Sequence, residues 1–71
     1  MRYELHTRQR DSDRREVSQH RTLEQAMAEA RRYIAREGQL QQFTLALYDR
    51  QRKHDARRHD TDDQIVFRYG E

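Results

Sequence analysis

The sequence predicts an α+β domain: a small antiparallel sheet of three or four strands with one helix packed on its apolar face. Two patterns predict it. Residues 2–8, 42–48 and 64–69 alternate with the period of two that a half-buried strand requires. Residues 23–36 instead repeat apolar side chains at steps of three and four, the period of an amphipathic helix. Polar stretches at 9–15 and 49–63, without a strong hydrophobe, separate these segments.

In the first strand Tyr3, Leu5 and Thr7 share one side, opposite Arg2, Glu4, His6 and Arg8. The Asp-Ser-Asp run at 11–13 marks residues 9–15 as a turn or hairpin tip. A second strand over 16–20 rests on Val17 alone, so the order is β-α-β-β, or β-β-α-β-β if Val17 counts. Thr22 is an N-cap with Gln25 three residues on, and Leu23, Ala26, Met27, Ala30, Tyr33 and Ile34 form the apolar stripe. Glu24 and Arg36 have the right signs for the helix dipole, and Gly38 is placed to end the helix in a left-handed conformation. Phe43, Leu45 and Leu47 face the core from the next strand, with Thr44, Ala46 and Tyr48 behind them. The last strand reads the same way, Ile65, Phe67 and Tyr69 inward, Val66 and Arg68 outward. A single domain covers 1–71, and the 49–63 connection is expected to be an extended hairpin tip without an apolar anchor.

Composition narrows the function classes. The 71 residues are 39% charged with a net charge of +2, and only eleven are Leu, Ile, Val or Phe. A chain this short buries only about 60% of the surface its unfolded form exposes, so a second copy is an economical way to extend the core. There is no cysteine, hence no disulfide and no thiolate ligand or nucleophile. No apolar run approaches the roughly 20 residues of a membrane span, and a cytoplasmic protein is expected.

Fourteen of the fifteen basic residues are arginine, and they cluster. Arg50, Arg52, Lys53, Arg57 and Arg58 against Asp55 give residues 50–59 a local charge of +4. Arg8, Arg10, Arg14 and Arg15 against Asp11 and Asp13 give residues 8–15 a charge of +2. Guanidinium forks match phosphate and carboxylate geometry, so these nine cations are the candidate contacts to a phosphate backbone or an acidic protein. If both loops lie at one end of the sheet they form a basic rim; Asp60, Asp62 and Asp63 are the internal carboxylates that compete for the same arginines. On the outer sheet face His6, Arg8, Thr44, Ala46, Tyr48, Val66 and Arg68 line up, and Tyr48, Val66 and Arg68 are the candidate interface residues. Arginine with an aromatic suits single-strand nucleic acid and a protein interface equally.

Catalysis, metal and cofactor are not expected. The hydroxyls have no base and orienting partner in a recognisable arrangement, and Gly38 and Gly70 are too isolated for a phosphate loop. Arg57 and Arg58 between His54 and His59 oppose a cation, and residues 60–64 lack the glycine and terminal glutamate of a calcium loop. The expected function is a protein–protein interaction or regulatory module, self-associating or docking on an acidic surface. The alternative is an accessory protein binding DNA or RNA through its arginine-rich loops without sequence preference.

Overall fold

A computed structural model describes residues 1–10, 14–37 and 43–70. The chain runs β1 (Tyr3–Gln9), β2 (Arg15–His20), α1 (Leu23–Glu37), β3 (Phe43–Asp49) and β4 (Ile65–Tyr69), with a short 3₁₀ turn, Asp62–Gln64, leading into β4. The four strands form one antiparallel sheet of order β2-β1-β3-β4. Helix α1 lies across one face of it, over β1, β2 and β3.

Alternation does what the sequence implies in the two central strands. Tyr3, Leu5 and Thr7 of β1 and Phe43, Leu45 and Leu47 of β3 are all buried under the helix. Among the described residues Leu45 and Leu47 are the largest side chains below 2% exposure, and with Phe43 beside them the core is centred on β3. Ala26 and Ala30 allow the helix to sit close to the sheet, Tyr33 closes one side edge-on to Phe43, and Met27, Ile34 and Phe67 pack around the margin. Leu23, placed on the stripe by its spacing, is instead 44% exposed. Thr22 caps as expected: its hydroxyl accepts the Gln25 N–H at 3.1 Å, and its carbonyl accepts the Ala26 N–H. The expected Gly38 terminator and the Asp-Ser-Asp turn lie outside the described residues.

Residues 15–20 do form a strand, so the order is β-β-α-β-β. Pairing with β1, six residues long, supplies what one valine cannot.

In β4 the alternation changes phase. Leu45 pairs with Tyr69 and Leu47 with Phe67, but Tyr48 pairs with Ile65, leaving Val66 as the extra residue of a bulge. One inserted residue inverts the faces beyond it. Ile65 therefore joins Tyr48 on the outer face instead of the core, correcting the inward assignment, and Val66 sits in the kink at 38% exposure. Tyr69 keeps to the helix side but is only half covered, stacked on Phe43 with ring centroids 5.6 Å apart. Gly70 follows at φ +82°, a conformation that favours glycine, and a Cβ there would overlap the Phe43 carbonyl oxygen.

Candidate functional site: the uncovered sheet face

The helix covers one side of the sheet only. On the other, the registers set side chains in rows across the strands: Val17, His6, Ala46 and Arg68 in one, Gln19, Glu4, Tyr48 and Ile65 in the next. Together with Arg8, Arg15 and Thr44 most of these line a shallow open depression of about 570 Å³. Ala46, Ile65, Val17 and the ring of Tyr48 give it apolar surface, with His6 and Thr44 among them, and Arg8, Arg15 and Arg68 line it together with Glu16.

Tyr48 is the best-organised group on this face. The Arg50 guanidinium lies 4.3 Å from its ring centroid and the His6 ring 4.6 Å from it, tilted by 59°. Arg50 is itself fixed from three directions. Its Nε donates to Glu4 Oε1 at 2.9 Å, and its Nη1 donates to Gln64 Oε1 at 2.8 Å and to the Thr61 hydroxyl at 3.0 Å. Glu4 also receives His6 Nε2 at 3.1 Å. These contacts hold the Glu4 carboxyl below its ordinary pKa, the His6 hydrogen bond contributing most and Arg50 next.

Gln64 is the residue sequence reasoning missed. It is buried, and its amide Nε2 donates to the Arg52 carbonyl at 2.9 Å while its Oε1 holds Arg50. A buried amide using both ends closes the base of the 49–63 connection. A polar residue directly before an apolar strand carries no composition signal of this role. The connection has a polar anchor in place of an apolar one.

Beyond that base the connection is hydrogen-bonded internally. Asp63 accepts from His54 Nδ1 at 2.9 Å and from the Asp55 N–H at 2.8 Å, and these two donors lower its pKa, His54 most. Arg57 pairs with Asp55 at 3.2 Å and Arg58 with Asp60 at 3.0 Å. Two of the nine candidate cations are thus matched within the loop, and Arg50 faces the sheet. Arg52 and Lys53 are exposed. At the strand's end Arg2 grips Asp49 with two hydrogen bonds, of 3.0 and 3.1 Å, the first cause of that carboxyl's lowered pKa.

The two arginine-rich loops do not share a rim. Asp49, where the second loop begins, pairs with Tyr3, while Gln9, where the first begins, pairs with Phe43. Antiparallel β1 and β3 send their C-terminal loops to opposite ends of the sheet, about 20 Å apart for a seven-residue strand. Arg14 lies exposed at the far end, and Arg10 reaches the Gly70 carbonyl at 3.2 Å. What the structure brings together instead is Arg8 and Arg15, directly opposed across β1 and β2, with Arg68 one row along, all bordering the depression. Of the three candidate interface residues, Tyr48 and Arg68 line it and Val66 does not; Ile65 has taken its place.

Among the described residues no three His, Asp or Glu side chains converge as metal ligands would, and no helix is long and apolar enough to cross a membrane. No family model, curated protein or solved structure matches this chain.

Proposed function

We propose that this protein is an interaction module that presents its uncovered sheet face to an acidic surface of another protein. One observation carries the reading: apolar surface from Val17, Ala46, Tyr48 and Ile65, with His6 among them, is bordered by Arg8, Arg15, Arg50 and Arg68, with Glu4, Glu16 and Asp62 the acids nearby, Asp62 standing 4.0 Å from Arg68. An apolar centre inside a polar rim, rich in tyrosine and arginine, is the anatomy of a protein interface. The cations favour a partner whose rim carries carboxylates, since opposite charges across an interface speed encounter and exclude partners of the wrong sign. The Arg50–Glu4–Gln64 network fixes the Tyr48 ring in advance, so little side-chain entropy is lost on docking.

Three features favour a protein over a nucleic acid. A base needs a free aromatic face, and the Tyr48 ring already meets Arg50 and His6. Arg57 and Arg58 are matched by Asp55 and Asp60. The tips of the two basic loops lie at opposite ends of the sheet.

Fluorescence anisotropy with labelled peptides alternating Leu with Glu, run beside a labelled oligo-thymidine strand, tests the proposal at 50 and 150 mM salt. The peptides should bind, and Ala46→Glu, which sets a charge on the floor, should weaken them at least tenfold. Failure of every peptide overturns the reading. Binding of the oligonucleotide alone transfers the face to single-stranded nucleic acid.

A further inference from the structure

Among the described residues the sheet ends on each side in a strand paired along one side, β2 and β4, and the two edges differ. The β4 edge is five residues long and broken by the Val66 bulge. The β2 edge is a regular ladder of six residues without proline or bulge, two of the devices that ordinarily blunt an edge, and its charges, Arg15 and Glu16, are of opposite sign.

The registers fix which backbone groups β2 turns outward. The Gln9 N–H donates to the Arg14 carbonyl, so this pair is of the hydrogen-bonded kind, and alternation makes Glu16, Ser18 and His20 the residues bonded to β1. The Arg50 N–H bonded to the Arg2 carbonyl sets the opposite parity on the other side of β1, as one consistent sheet requires. Val17 and Gln19, exposed, then aim both N–H and C=O away from the sheet, and Arg15 follows the same parity.

We propose that a second copy of this chain pairs antiparallel with β2 about a twofold axis through Val17, making one eight-stranded sheet. The twofold admits two central registers. Centred on Ser18, Arg15 falls opposite Arg21 of the other copy, a like-charge pair that disfavours it. Centred on Val17, Val17 meets its own copy, Arg15 meets Gln19 and Glu16 meets Ser18, with no like charges opposed. This register covers two valines that are each 57% exposed in the single chain. Both helices lie on the same side of the joined sheet, so its uncovered face is continuous. The occupant is a second copy because the edge is complementary to itself under the twofold, and because a core in which, among the described residues, Leu45 and Leu47 are the largest side chains below 2% exposure gains from extension. Six residues a side bury less than the roughly 1,200 Å² of a standard interface, so the dimer is weak, half-dissociated at on the order of 10–100 µM.

Sedimentation from 10 to 500 µM, with two kinds of variant, tests this. The wild type should move from 8.8 kDa toward twice that mass as concentration rises. Gln19→Pro removes an outward N–H, where an edge strand tolerates proline, and does not touch the depression. It should stay monomeric with an unchanged circular dichroism spectrum. Val17→Cys should cross-link on mild oxidation, since facing Cα atoms of a hydrogen-bonded pair lie about 5.5 Å apart. Gln19→Cys should not, because its copy falls four residues away, about 13 Å. A wild type at single-chain mass throughout, a folded Gln19→Pro that still dimerises, or equal cross-linking of the two cysteine variants overturns the proposal. Ala46→Glu should dimerise like the wild type, so loss of peptide binding and loss of the dimer are separately readable.

Discussion

Replacing Gln64 with alanine removes a polar residue that stands where a small core is short of apolar ones. The side chain is 7% exposed, and its Oε1 accepts from the charged Arg50 Nη1 at 2.8 Å. Its Nε2 donates to the Arg52 carbonyl at 2.9 Å, and its contact with the Arg50 carbonyl at 3.5 Å is too long to add much. A hydrogen bond to a charged donor contributes about 1.5–3 kcal/mol and a neutral one about 1 kcal/mol, so the loss is roughly 2.5–4 kcal/mol. At ~0.05–0.15 kcal/mol per residue the whole domain has only about 4–11 kcal/mol. In urea, with a slope near 1 kcal/mol/M for so small a chain, the midpoint of Gln64→Ala should fall by about 2 M or more. Gln64→Glu keeps an acceptor for Arg50 and loses both donors, so its midpoint should fall between. Arg57→Ala, at a side chain 91% exposed, should stay within about 0.5 kcal/mol of the wild type. If Gln64→Ala melts with the wild type while trypsin cuts after Arg52, Lys53 or Arg57 become faster, the glutamine holds only the loop. Its assigned role in joining β4 to the cooperative unit would then be refuted.

The other expectations concern the core and pH. Leu45→Ala should cost about 2–5 kcal/mol, comparable with the total stability, and should leave the chain largely unfolded at 37 °C by circular dichroism. An unchanged melting midpoint would show that β3 does not centre the core. Glu4, Asp49, Asp55 and Asp63 all have lowered pKa values in the fold, chiefly through hydrogen bonds from His6, Arg2, Arg57 and His54 respectively. The unfolded chain therefore binds more protons in acid, and the stabilisation is complete above the ordinary carboxylate range near pH 4 and lost as pH falls through the folded values. Melting temperature should hold from pH 7 to about 5 and fall below about 4, with a shallower fall in Glu4→Gln; a rise on acidification would contradict the assigned pairs.

The periodicities of this sequence determine its two-layer architecture. Alternation in 2–8 and 42–48 and the three-and-four spacing of 23–36 specify which side chains leave water, and burial of those side chains drives folding whatever the strand order. Thr22 as a cap is likewise local chemistry, readable from four residues. Strand β2 was not decided locally, because one valine cannot specify a strand that β1 creates by pairing. Nor was the phase of β4: a bulge is a property of two strands in register, and no pattern in 64–69 alone announces that Ile65 turns outward and Val66 becomes the extra residue.

The site divides the same way. Arginine clusters and the acids that compete with them are countable in the sequence, and so is the outward set on β1 and β3. Their destinations depend on contacts between residues far apart in the chain. Antiparallel pairing of β1 with β3 sends the two basic loops to opposite ends of the sheet, and Glu4 and Gln64 draw Arg50 out of its loop onto Tyr48. Charge along a chain is additive and local, whereas a surface is set by which strands lie side by side. The arginines were therefore fixed by the sequence, and the face they border only by the tertiary structure.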